Sequence, residues 1–220
     1  MYSDESCFLC PDNIFELHQK IGLPYNNAIV FQDKNVFVTP DISPICRGHF
    51  LIISKEHINS FGNATDAVFD SIRTAVKFLK AKVYKTDKFI IFEHGAVLSH
   101  TAGACIDHAH MHIIPQIPKL SEEIDDFIHK SCFIASEKIC TNQYILQEFA
   151  KMKQPYLFYA IDRESWAYPV LRLPSQFLRS LVAYSLKVEY NWKLTYNSER
   201  SKLLYTQTLE MATDVNVQSI

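Results

Sequence analysis

Three histidines, His108, His110 and His112, alternate with Ala109 and Met111 in the run His108-Ala109-His110-Met111-His112-Ile113-Ile114-Pro115. Alternation with period two is the pattern of a half-buried β-strand. On such a strand residues i, i+2 and i+4 share a face, so the three imidazoles form a row roughly 13 Å long. The opposite face carries Ala109, Met111 and Ile113, which suit a core. A row of imidazoles can bind metal, transfer protons or attack an electrophile; a solvent-facing strand edge is the plainer alternative. Near the start of the chain, Cys7 and Cys10 have the spacing of a zinc half-site, two thiolates forming one edge of a tetrahedron. The same spacing serves a redox pair, and a lone Cys-x-x-Cys is weak evidence for either.

The elements that must position these residues are legible from periodicity. Ile14, Phe15, Leu17 and Ile21 form a short apolar-periodic segment closed by Gly22 and Pro24. Residues 28–32 and 35–39 read as two strands of a hairpin turning at Asp33-Lys34-Asn35. Residues 48–54 hold the buried strand Phe50-Leu51-Ile52-Ile53. Asn63 or Thr65 caps a long helix whose Val68, Phe69, Ile72, Ala75, Val76, Leu79 and Val83 fall on one stripe. Residues 88–93 are a fourth strand, and a loop over 95–105 leads to the histidine strand. About five strands and one long helix, joined by short connections, predict an α+β domain with a largely antiparallel sheet.

Beyond Pro118 the character changes. Glu122–Lys130 reads as a helix with an acidic start, and Pro174-Ser175-Gln176 opens a second one burying Phe177, Leu178, Leu181, Val182 and Leu186. The expectation is a domain over residues 1–118 and a mostly helical extension over 119–220, packed on or near that domain.

Composition bounds the rest. The chain has 220 residues, 48% apolar and 21% charged, which suits a globular protein with a real core. A net charge of −2 supplies no global basic field, so nucleic acid is a disfavoured partner. No apolar run reaches the ~18 residues of a membrane span, and the first residues lack the layout of a signal peptide. Six cysteines are too few for a secreted disulfide scaffold, which makes a reducing cytoplasm the expected location. Cys46, Cys105, Cys132 and Cys140 read as ordinary thiols.

The sequence resembles the histidine triad (HIT) superfamily of nucleotidyl hydrolases and transferases. The run HAHMHII matches the family pattern of three histidines separated by apolar residues. A second block, Asp41-Ile42-Ser43-Pro44 followed by Gly48-His49-Phe50-Leu51-Ile52-Ile53-Ser54-Lys55-Glu56-His57, is similar to the family strand carrying a further histidine. The resemblance covers about residues 5–118. It implies the HIT fold and a nucleophilic middle histidine, here His110, attacking the α-phosphorus of a nucleotide to form a nucleotidyl-histidine intermediate. His112 would support the phosphate, with His49 orienting the row. Family members with a third histidine tend to hydrolyse, whereas those ending the motif in glutamine tend to transfer.

By the same resemblance Asp41 would accept hydrogen bonds from the ribose hydroxyls, though Asp also fits a plain turn before Pro44. Gly103, Ala104 and Cys105 stand where many relatives carry glycine, glutamine and a hydroxyl residue that donate to phosphates. Gly103 keeps the close backbone approach; Ser99, His100 and Thr101 are candidates to replace the missing donors. Some relatives hold a structural zinc, and the matching ligands here are Cys7, Cys10, His57 and His108.

The extension faintly resembles that of larger HIT-like proteins around Leu173–Arg179 and Tyr190–Lys193. Arg172, Gln176 and Arg179 could bring donors to a polyphosphate or form a solvated helix face. Trp166 and Trp192 could stack a base, and packing is the simpler role. The leading expectation is a nucleotide hydrolase, with a nucleotidyltransferase or phosphorylase and a noncatalytic nucleotide- or RNA-binding module as alternatives. Small relatives dimerise, so a homodimer is also a candidate state.

Overall fold

The computed structural model describes residues 7–24, 28–86, 88–98, 101–115, 120–131, 139–161, 164–170 and 172–213. One antiparallel sheet runs through them. Its strands are β1 (Phe31–Gln32), β2 (Val36–Pro40), β3 (Phe50–Ser54), β4 (Phe89–Gly95), β5 (His110–Pro115), β6 (Ile139–Cys140), β7 (Tyr156–Ile161) and β8 (Glu164–Pro169). They lie in the order β1-β2-β3-β5-β4-β7-β8-β6. The helices are α1 (Pro11–Lys20), α2 (Asp66–Phe78), α3 (Leu120–Ser131), α4 (Gln143–Lys151), α5 (Phe177–Ser185), α6 (Trp192–Thr195) and α7 (Glu199–Thr213).

The first five strands are those the sequence predicts. Asp33 makes the β1–β2 turn by accepting the N–H groups of Asn35 and Val36 on Oδ1, at 2.8 and 2.9 Å. Thr65 begins α2, and a π-helical turn over Leu79–Tyr84 continues it until Lys85 adopts a left-handed conformation. The α2 stripe packs with Ala109, Met111 and Ile113 on one sheet face. Ile90, Phe92 and Ile114 belong to the other face, under Ile124 and Ile128 of α3 and Leu178, Leu181 and Val182 of α5. Burying a Leu or Val side chain fully contributes roughly 1.5–3 kcal/mol, so α5 is held firmly on that face.

The strand count differs from the five expected, because the extension, mostly helical as expected, also adds β6, β7 and β8 to the same sheet. Strand β7 pairs with β4 from Ile90↔Ile161 to Gly95↔Tyr156. A Cβ on Gly95 would overlap the Tyr156 ring, which explains a glycine in mid-sheet. Glu93 completes the seam, accepting from Phe61 N–H and from Tyr156 Oη at 2.8 Å each. Alternation in residues 156–161 is masked by burial on both faces, since Tyr156, Leu157, Phe158 and Tyr159 are all buried. Helix α5 also starts later than expected, at Phe177, with Gln176 at φ 62° before it and Pro174 outside the first turn. Among the described residues no helix is long and apolar enough to cross a membrane.

Candidate functional site

The histidine row is divided by the point at which its strand begins. His110 opens β5, while His108 precedes the ladder, where Ala109 is tied through its carbonyl to Ser54 N–H (3.1 Å) and through its N–H to Ile58 (2.6 Å). The His108 ring faces the N-terminal cysteines. Its Nε2 lies 2.8 Å from the Ser54 carbonyl, which can only accept, so Nε2 carries the proton and Nδ1 keeps its lone pair. That Nδ1 is 3.3 Å from Cys7 Sγ and 3.6 Å from Cys10 Sγ, and His57 Nδ1 is 3.4 Å from Cys10 Sγ. All four ligand atoms lie within 4.8 Å of one another. Tetrahedral zinc with Zn–S ≈ 2.3 Å and Zn–N ≈ 2.0–2.1 Å would set sulfur and nitrogen about 3.6 Å apart. The donor set and spacing therefore fit zinc.

The same reasoning assigns protons in the other half of the row. His110 Nδ1 lies 2.6 Å from its neighbour's carbonyl, that of His108, so Nδ1 is protonated and Nε2 holds a lone pair. His49 Nδ1 accepts the Ile45 N–H at 3.2 Å, which leaves its proton on Nε2. His49 Nε2 then donates to His112 Nδ1 at 3.0 Å, and His112 in turn carries its proton on Nε2. Phe92 stacks on the His112 ring with centroids 4.7 Å apart and fixes its plane. Burial pushes all three imidazoles below their ordinary value, His49 to about 4, so the neutral tautomers are the resting forms. One nitrogen lone pair, on His110, thus stands beside one N–H donor, on His112.

The extension reaches into this site. Arg179 of α5 is buried and pairs with both oxygens of Asp41, Nη1 to Oδ2 at 2.8 Å and Nη2 to Oδ1 at 3.2 Å. Nη2 also donates to the Ser43 carbonyl at 2.7 Å and to the Tyr190 hydroxyl. Burial works to raise the Asp41 carboxyl, but the Arg179 charge and the Ser43 N–H outweigh it and hold the group ionised. Helix α5 is further anchored by its Leu178 N–H, which donates to His94 Nε2 at 3.2 Å. Burial lowers His94 to about 3, consistent with an accepting ring. Asp41, His110, His112, Gln176 and Arg179 line one cavity, whose apolar wall includes Leu9 and Ile14.

The structure thus gathers His49, His110, His112 and Asp41 in one place, and Cys7, Cys10, His57 and His108 in another. Three of the expected substrate-binding residues have partners within the chain. Asp41 accepts from Arg179 on both oxygens and from the Ser43 N–H on Oδ1 (2.7 Å). Gly103, at φ 74°, does permit close approach, but what approaches is the Pro174 carbonyl of the extension, and its own carbonyl accepts Gln176 N–H at 2.9 Å. Thr101 donates to the Leu98 carbonyl of its own turn at 2.5 Å and does not line the cavity. Ser99 lies outside the described residues. His94 was not anticipated, although it stands at the next period-two position after Ile90 and Phe92.

Part of this chain is similar to known proteins. The HIT domain family pattern matches residues 25–119. "Protein hit" of Bacillus subtilis is 29% identical over 119 residues, covering 54% of this chain and 77% of its own length. An uncharacterized HIT-like protein of Methanocaldococcus jannaschii is 31% identical over 94 residues, covering 40% of this chain and 67% of its own. Among solved structures, a hypothetical histidine triad nucleotide-binding protein from Sulfolobus tokodaii shares 26% identity over 47% of this chain and 68% of that one, with a TM-score of 0.36. The likeness falls on the half of the chain that carries the divided histidine row, and this chain belongs to the HIT family.

Proposed function

We propose that the chain is a nucleotide hydrolase that uses His110 as its nucleophile. Family membership supports nucleotide-binding and hydrolase- or transferase-type chemistry in general; the observation that carries the finer reading is the complementary tautomer pair at His110 and His112. The Nε2 lone pair of His110 attacks the α-phosphorus of a nucleoside 5′-phosphoryl compound. The Nε2–P bond forms as the bond to the leaving group breaks, and the leaving group departs with that electron pair. Positive charge then develops on the ring, and the Nδ1–H bond to the His108 carbonyl strengthens with it. His112 Nε2–H donates to a phosphoryl oxygen as negative charge builds there. His49, held by Ile45 N–H, keeps His112 in the donating tautomer. Water next attacks phosphorus and gives up a proton to solvent, the P–Nε2 bond breaks with its electron pair returning to His110, and the nucleoside monophosphate leaves with the water oxygen.

Cys7, Cys10, His57 and His108 would hold a structural zinc. With four protein ligands it would have no open position, and its chemistry would be to pin the N-terminal segment to the strand that begins at His110. The proton on His108 Nε2, fixed by the Ser54 carbonyl, leaves Nδ1 as the ligand atom.

The test is incubation with a panel of nucleoside 5′-polyphosphates and phosphoramidates, followed by mass spectrometry of acid-sensitive adducts. An adduct on the wild-type protein that is lost in His110→Ala, together with turnover, is expected. Turnover undiminished by His110→Ala would overturn the mechanism. Acceleration by inorganic phosphate, with phosphate in the product, would point to a phosphorylase instead.

A further inference from the structure

A carboxylate offers about four lone-pair directions. At Asp41 three are taken: Oδ1 by Ser43 N–H (2.7 Å) and Arg179 Nη2 (3.2 Å), Oδ2 by Arg179 Nη1 (2.8 Å). The remaining side of Oδ2 faces His49 Nε2 and His112 Nδ1, each at 3.6 Å. A ribose diol needs two free acceptor directions, and this group, 1% exposed, has one at most to give. Arg179 is the reverse case. Its Nε is buried with no hydrogen-bond partner among the described residues, as is Gln176 Oε1, and both side chains line the cavity that holds His110 and His112. The free space there is about 40 Å³. That is the scale of one phosphoryl group, well below the ~300–1,000 Å³ of pockets that enclose a whole ligand.

The described residues 103–105 of the loop that supplies phosphate donors in similar chains are turned to the extension. Gly103 is docked against Pro174 and Gln176, and Cys105 Sγ lies 2.5 Å from Ser175 Oγ. The extension that occupies the loop brings its own donor, an arginine whose Nη groups are held and whose Nε–H is left over.

We propose that Arg179 is the phosphate-binding residue of this site, that Asp41 acts through it as a positioning residue, and that the sugar hydroxyls are not read. Ribo-, deoxy- and dideoxynucleoside 5′-phosphoryl compounds are then equivalent ligands. This inference rests on the nucleotidyl hydrolase reading and narrows its substrate class. Recognition is concentrated on the phosphoryl group, because that is the part enclosed beside His110.

Calorimetric titration of the full chain tests it with adenosine 5′-monophosphate, its 2′,3′-dideoxy analogue and adenosine, alongside turnover of the corresponding phosphoramidates. The two monophosphates should bind within about threefold of each other, and adenosine should not bind. A site built to hydrogen-bond a hydroxyl rejects the analogue lacking it by orders of magnitude. Arg179→Lys keeps the charge and loses the fork, so it should weaken both monophosphates equally, by about tenfold or more. The double variant Arg179→Gln with Asp41→Asn keeps a neutral hydrogen-bonded pair should the single change unfold the chain, and it should show the same equal loss. A preference of about 20-fold or more for the ribonucleotide, abolished by Asp41→Asn, would overturn the inference while leaving the hydrolase reading intact. Absence of both nucleotide binding and turnover would remove the hydrolase reading and this inference with it.

Discussion

Replacing Gly103 by alanine separates two roles for one residue. Gly103 sits at φ 74°, where an L side chain is strained by roughly 1–2 kcal/mol, and its added Cβ would overlap the Pro174 carbonyl. The obstacle is backbone, which cannot rotate away, so the 173–176 segment must shift; overpacking of this kind costs about 1–3 kcal/mol. The sum predicts a loss of about 2–5 kcal/mol, which for a chain of this size lowers Tm by roughly 4–20 °C. Gly22 supplies the control: it has φ 70° but nothing within 4 Å of its Cβ position, so Gly22→Ala should show the conformational part alone. Urea unfolding of both variants measures the difference between them, which is the docking of the extension on the loop. If Gly103→Ala is no less stable than Gly22→Ala, the segment does not rest on the loop as described. Loss of turnover at unchanged stability would instead restore the loop to phosphate binding.

Three further outcomes follow from the same geometry. Burial raises the Glu93 carboxyl from an ordinary 4.5 to about 7, against the opposing hydrogen bonds from Phe61 N–H and Tyr156. Its contribution is therefore fully present below pH 4.5 and is lost as pH rises through 7, a decline of about 2 kcal/mol between pH 5 and pH 8. Glu93→Gln should flatten the pH dependence of urea stability over that range, and an unchanged slope would show that Glu93 does not titrate there. Metal analysis of the purified chain should find about one zinc per molecule, lost together with several degrees of Tm in Cys7→Ser; a wild-type protein that retains its Tm under strong chelation would argue against a structural metal. Because β7 covers the β4 edge and, among the described residues, the outer strands β1 and β6 are two residues each, the sheet offers only short edges for pairing between copies. Sedimentation should therefore find a monomer near 25.4 kDa, and a stable dimer would contradict this.

The sequence by itself determined the parts whose signal is local. Period-two alternation placed His110 and His112 on one strand face and Met111 and Ile113 on the other, and 3.6-residue periodicity placed the α2 stripe against that second face. These patterns survive because side-chain direction is dictated by backbone geometry, whatever the strand pairs with. Tertiary structure alone decided what the site groups do once they meet. The tautomers depend on carbonyls and amides from Ser54, Ile45 and His108, whose positions no spacing in the chain encodes. The membership of β7 in the sheet was hidden because burial on both faces erases alternation. Arg179 meets Asp41 across 138 positions of sequence, and in the sequence Arg179 was as compatible with a solvated helix face as with an anion. Only the fold shows that a carboxylate expected to hold a sugar instead holds an arginine, because the contacts that fix a buried charge come from elements far apart in the chain.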